Sequence, residues 1–270
     1  MKPKNLKRIN KGTREAPKEG DFTFNIPQSE LAGIEVFAPI SVKQELYLND
    51  QHNDIIVWGG AAGAGKTQVS LLFVKLNALF DKDYVGAIAR KSQKQMKSAG
   101  SLWSTGTKML APLGVSANSL ELHWRFPNGS EVKCHHLDRN PDDWQGTQAT
   151  TFLVDEAQQC SEDDVWYLTS RMRSRSKKKH QLRLTCNPDA DSFLKDWLVK
   201  GGYLLESGLP SKEMDGVTTH MVVVGGEFHW FKTIKEMEEI FGKEVAKYSR
   251  KFAFYSANVY DNPFIRRNIP

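Results

Sequence analysis

The sequence is short of cysteine and of long apolar runs, and each shortage excludes something. Its three cysteines, Cys134, Cys160 and Cys186, form no C-x-x-C pair. Neither a disulfide frame nor a cysteine zinc site is expected, and the thiols read as reduced, as in a cytoplasm. No stretch approaches the roughly 18 apolar residues of a membrane helix. The N-terminal residues lack the apolar centre of a signal peptide. No internal repeat is present, and no biased block beyond a basic start. The pair His135-His136 has no carboxylate or cysteine at metal spacing, so it reads as structural.

Charge of one sign is equally scarce in the body of the chain. The net charge is +5, and residues 1–20 hold all of it: seven cations (Lys2, Lys4, Lys7, Arg8, Lys11, Arg14, Lys18) against Glu15 and Glu19. The remaining 250 residues carry 30 basic and 30 acidic side chains. Contact with a polyanion must therefore come from this tail, expected to be disordered, or from local clusters. Two clusters stand out. "ARKSQKQMK" carries Arg90, Lys91, Lys94 and Lys97, and "SRMRSRSKKKHQLR" runs from Ser170 to Arg183 without an acid. Alternating Arg/Ser followed by three lysines fits a solvated loop or a phosphate-backbone contact.

What the chain does have is glycine and alanine in one place. "VWGGAAGAGKTQVS" fits G-x-x-x-x-G-K-[ST], with Gly60, Gly65, Lys66 and Thr67 in the fixed positions and Ala61, Ala62, Gly63 and Ala64 between. Small residues let backbone N–H groups approach phosphate oxygens at a helix start, where Gln68 comes next. Lysine reaches the outer phosphates and the hydroxyl serves Mg²⁺. "DIIVW" before the loop is a β-branched run. "KTQVSLLFVKLNALF" after it predicts a helix burying Val69, Leu72, Phe73, Leu76 and Phe80. Strand, loop and helix in that order make this a nucleotide site.

Strands and helices alternate from there. "YVGAIAR" (84–90) reads as a buried strand, and a polar helix is predicted over 92–111. Pro127-Asn128-Gly129-Ser130 sits between two alternating runs as a hairpin turn. Further strands are predicted at "TTFLVDEA", "QLRLTCNP", "MVVV" and "KFAFYSANVY", with helices over 162–173 and 233–249. That order predicts an α/β fold: a mostly parallel sheet with helices on both faces and ligands at the strands' C-terminal ends.

"FLVDEAQQ" supplies the partner of the phosphate loop. Asp155 emerging from a buried strand suits the Mg²⁺ shell shared with Thr67, and Glu156 suits activation of the attacking water. In "LTCNP", Thr185 and Asn187 sit where a strand end can sense the γ-phosphate. Gln44, ahead of the first core strand, can offer its amide to an adenine edge.

Taken with "RMRS…LRLTCNPDADSFLKDWL" and the terminal "NVYDNPF", these motifs resemble the ATPase domain of a tailed-bacteriophage terminase large subunit, over about residues 35–264. The phosphate loop and acidic strand are common to many NTPases. The Asn-Pro with its aromatic-rich helix and the closing Asp-Asn-Pro narrow the likeness. The resemblance implies a P-loop NTPase fold of the additional-strand, catalytic-glutamate type. It implies ATP and Mg²⁺ held by Lys66, Thr67 and Asp155, water activated by Glu156, a coupling motif at Thr185 and Asn187, and Gln44 beside the adenine. It further implies a motor driving double-stranded DNA into a procapsid in the host cytoplasm, with portal protein and small terminase subunit as partners. A homo-oligomeric ring is expected when assembled, a monomer being the alternative in isolation.

Relatives also place the transition-state arginine inside the phosphate loop or before the glycine upstream of the acidic strand, where this chain has Ala62 and Gln145. A cation supplied by a neighbouring copy is therefore expected, Arg139 first, with Arg90, Arg171 and Arg173 as alternatives. By the same likeness, residues 21–265 form the ATPase domain and 266–270 begin a linker to a nuclease domain absent from this sequence. Two other readings compete. A superfamily 2 helicase-like core fits "DEAQ" and Gln44, and a nucleotide-gated binding module without turnover fits everything except Glu156.

Overall fold

The computed structural model describes residues 39, 41–60, 63–98, 101–138, 146–187, 189–258 and 261. The tail at 1–20, Ala61, Ala62, Arg139, Gln145 and the 266–270 segment lie outside the described residues. Six parallel strands form the centre of a ten-stranded sheet. They are β1 (Ile55–Gly60), β2 (Val85–Arg90), β5 (Glu131–His136), β6 (Thr151–Val154), β7 (Gln181–Cys186) and β10 (Arg250–Ala257), in the order β5-β2-β6-β7-β1-β10. Antiparallel strands extend both ends: β4 (His123–Arg125) and β3 (Ser116–Asn118) beyond β5, and β8 (Thr219–Val224) and β9 (Glu227–Phe231) beyond β10. The α/β architecture agrees with the sequence reading.

Strand β1 is apolar on both faces because both faces are covered. Ile56 and Trp58 join α1 (Val42–Asn49), α2 (Lys66–Phe80), α3 (Gln93–Lys97) and α4 (Leu102–Leu110) in one core. Ile55 and Val57 join α5 (Glu162–Thr169) and α6 (Phe193–Lys200) in the other. Helix α7 (Ile234–Ala246) turns at Gly242 (φ 81°) and covers β8 and β9 through Val222 and Met237.

Several sequence expectations need correction. The helix over 92–111 is two, because Ser98 adopts an extended backbone and Ser101 starts α4 with its own side-chain cap. The helix over 162–173 ends at Thr169, and the chain beyond it is a loop. On α2, Leu76 and Phe80 are exposed, and Leu71, Val74 and Ala78 are buried in their place. A helix pressed between the sheet and its neighbouring helices buries a broad arc, whereas its last turn overhangs. The Asn-Gly turn forms as expected and also caps α2: Asn128 Nδ2 donates to the carbonyl of Ala78 at 2.7 Å, as does Ser130 Oγ.

Candidate nucleotide site

The phosphate loop leaves β1 at Gly60. A Cβ there would lie 1.8 Å from the carbonyl oxygen of Ala257 on the neighbouring strand, so only glycine fits. Gly65 caps α2 in the left-handed conformation (φ 74°) and puts no side chain on the helix's first N–H groups. Those donors and the 15-residue helix behind them make an anion-binding end. Lys66 folds back so that Nζ donates to the Gly60 carbonyl at 2.8 Å. Burial pulls its pKa down, opposed by the field of Cys186, Asp155 and Glu156. Gly63 (φ 87°) is exposed, Ala64 is in the core, and Gln68 is half-buried on the first turn of α2.

Strand register brings the polar groups together. Ala89 pairs with Val154, and Val154 with Leu184, so Arg90, Asp155 and Thr185 emerge side by side at the C-terminal edge. Asp155, only 1% exposed, is held by three neighbours. Thr185 Oγ1 donates to its Oδ1 at 2.5 Å, Thr67 Oγ1 lies 3.5 Å from its Oδ2, and Arg90 reaches Oδ2 through Nε at 2.9 Å and Nη2 at 2.7 Å.

Glu156 takes a left-handed backbone (φ 56°), uncommon for a non-glycine residue and typical of functional turns. Its N–H donates to Thr185 Oγ1 at 3.1 Å. Its carboxylate accepts from Gln159 Nε2 at 2.8 Å and from Arg90 Nη2 at 3.4 Å. Gln95 Nε2 in turn donates to Gln159 Oε1 at 2.8 Å, and its carbonyl accepts from Arg90.

The fold thus brings Lys66, Thr67, Asp155, Glu156 and Thr185 together at one edge. Asn187 lies on the same edge: its N–H donates to Gln158, and its buried Oδ1 has no hydrogen-bond partner among the described residues. Gln44 is buried in α1 at 1% exposure. What sequence reasoning missed is the position of Arg90. It faces both carboxylates of its own chain, and Gln95 and Gln159 complete the circuit. The signal lay in strand order, since β2 and β6 are adjacent although some 60 residues separate them.

Among the described residues, no group of three or more His, Cys, Asp or Glu is placed to hold a metal by itself. The hydroxyl of Thr67 beside one carboxylate suits Mg²⁺ nonetheless, because that ion keeps waters and takes its remaining ligands from substrate phosphates.

Comparison with known proteins places this geometry. The family described as terminase large subunit, T4likevirus-type, N-terminal, matches residues 57–203, more than half of the chain. The large terminase of a thermophilic bacteriophage superposes with a TM-score of 0.54 at 16% identity, over 83% of this chain. This chain covers 47% of that one, about half its length. The large terminase ATPase domain of Thermus phage P74-26 gives a TM-score of 0.53 at 15% identity, covering 88% of this chain and 87% of that one. These likenesses show a shared fold. No curated protein matches the chain.

Proposed function

Because the chain belongs to the family of T4-like terminase large subunits, as their N-terminal part, we propose that it binds and hydrolyses ATP to drive double-stranded DNA into a procapsid. The observation that carries this reading is the meeting of Thr67, Asp155 and Glu156 at the start of α2, where no side chain caps the helix.

ATP is the substrate. The N–H groups opening α2 cradle its phosphates, and Lys66 exchanges the Gly60 carbonyl for them. Thr67 and Asp155 hold Mg²⁺, which when bound neutralises charge on the phosphate oxygens. Glu156 accepts a proton from the attacking water, and for that its carboxylate must be free of Arg90. Thr185 bridges the Asp155 carboxylate and the Glu156 backbone, so a shift of either is felt on β7. Asn187 Oδ1 is an acceptor on the same edge, suited to sensing the γ-phosphate.

Gln44 is assigned to the adenine side. Arg139 from a neighbouring copy is assigned to the transition state, where such a cation is worth about 10³–10⁵ in rate. A ring of copies in the host cytoplasm, engaged with portal protein and small terminase subunit, completes the proposal. No described helix is long and apolar enough to cross a membrane. The turnover expected of Glu156 favours this reading over a binding module, and the family match favours it over a helicase-like core.

The test is steady-state ATP hydrolysis measured with and without double-stranded DNA across a range of protein concentrations, with oligomer mass recorded alongside. Turnover per subunit that rises with assembly and with DNA is expected. Absence of hydrolysis under every condition overturns the proposal. Constant turnover from a confirmed monomer removes the role of a neighbouring copy.

A further inference from the structure

The run from Arg171 to Lys179, which the sequence leaves between a solvated loop and a phosphate contact, is an ordered ridge. Its serines face inward. Ser174 Oγ contacts Thr150 Oγ1 at 2.8 Å and His180 Nε2 at 3.1 Å. Buried Ser176 donates to Asp81 Oδ2 at 2.6 Å and accepts from the N–H of Lys178 at 3.0 Å. Met172 bridges to Ala149, and Lys179 pairs with Asp54 at 2.9 Å. The alternation of the sequence therefore turns Arg173, Arg175 and Lys177 outward, and all three are exposed. Of the six cations in the loop, only Lys179 forms an ion pair among the described residues. Arg171 is held on Tyr167, by its ring and its hydroxyl.

Arg173 and Arg175 also border a cleft of about 320 Å³, whose lining includes Lys82 and two acids, Asp83 and Glu131. His123 Nε2 lies 2.9 Å from the Glu131 carboxylate. The ridge lies at the N-terminal edge of the parallel strands. Since β7 is six residues long, at about 3.3 Å each, it is roughly 20 Å from the nucleotide site.

We propose that Arg173, Arg175, Lys177 and Lys178 form a preorganised, sequence-independent contact for the phosphate backbone of double-stranded DNA. Cations held in place lose less freedom on binding than those of a mobile loop. The segment has no aromatic side chain on which bases of a single strand stack, which favours a duplex. This rests on the DNA-translocating reading, and it assigns the surface that reading lacks.

The experiment uses the full chain and a short DNA duplex of arbitrary sequence, followed by fluorescence anisotropy over a salt series. The fourfold variant Arg173→Ala/Arg175→Ala/Lys177→Ala/Lys178→Ala should bind at least about tenfold more weakly. Its slope of log K against log salt should fall by about 0.9 for each phosphate that is no longer neutralised. Ser176→Ala keeps every charge but cuts the anchor, so affinity should drop severalfold with the slope retained. Unchanged duplex affinity and slope in the fourfold variant, with its thermal midpoint intact, overturns the proposal. So does a wild-type chain that binds polyglutamate or a single strand as well as duplex.

ATP hydrolysis read in the same samples separates the two claims. Hydrolysis without loop-dependent DNA binding sinks this inference alone. Loop-dependent DNA binding without hydrolysis sinks the motor reading alone.

Discussion

The two edges of one sheet handle charge in opposite ways. At the C-terminal edge, Arg90 is turned inward onto Asp155 and Glu156 and offsets part of their charge. At the N-terminal edge, inward-facing serines hold the backbone of the 171–179 loop and its cations point outward. Both sets are carried by segments adjoining β6 and β7. A buried ionic group requires a partner or a ligand that replaces one, so the first edge suits a small charged substrate that competes for its members. The exposed edge suits a large polyanion that takes what is offered.

The sharpest break in this comparison is Glu156→Gln. The amide keeps the shape but takes no proton, so kcat should fall by about 10²–10⁴ with Mg-ATP binding retained and duplex affinity unchanged. Normal turnover in single-turnover kinetics would move the base elsewhere.

Arg90→Ala comes next. It leaves Asp155 buried without its main cation, a change worth on the order of 3 kcal/mol. The thermal midpoint should drop in chelator and recover in part with Mg²⁺. A drop that Mg²⁺ does not touch would separate Arg90 from the metal position.

Thr185→Val removes the hydroxyl that joins the two carboxylate residues. A loss of about 1–3 kcal/mol is expected by denaturant titration, with lowered turnover as the functional sign. Stability lost with turnover intact would make Thr185 a purely structural bridge.

The gentlest probe compares histidines. Burial lowers the pKa of His135, on β5, to about 4, and lowers that of His180, in the cationic loop, by less. A folded-state pKa below the unfolded value of about 6.5 means the unfolded chain binds the extra proton. His135 therefore contributes stability above pH 6.5 that is lost as pH falls toward 4, by at most about 1.4 kcal/mol per pH unit. His135→Gln should flatten that slope in pH-dependent melting, and His180→Gln should flatten it less.

Motifs that act locally are legible in the sequence. The phosphate loop, the Asp-Glu strand end and the Asn-Gly turn depend on neighbours within a few residues, and the structure places each where its pattern puts it. Features set by strand order are not legible in this way. Arg90 reads as one member of a basic cluster, or as an alternative cation for a neighbouring copy, until β2 is known to lie beside β6, and the hydrogen-bonded serines of "RSRS" look like solvated polarity until Asp81 and Thr150 are brought beneath them. The edge strands β3 and β9 escape for a related reason. Short antiparallel additions draw their identity from the strand they join, here β4 and β8.

The bond from Ser176 to Asp81 has a mechanical consequence. Asp81 is the residue that ends α2, the helix whose opposite end is the proposed phosphate site. Fifteen residues at 1.5 Å each make a strut of about 22 Å, clasped at its far end by Asn128 and Ser130 as well. A strut without a hinge transmits displacement rather than absorbing it. The Ser176 bond places the far end of that strut directly against the cationic ridge. The stiffness of α2, more than the reach of any side chain, then sets how much of a displacement the two edges can share.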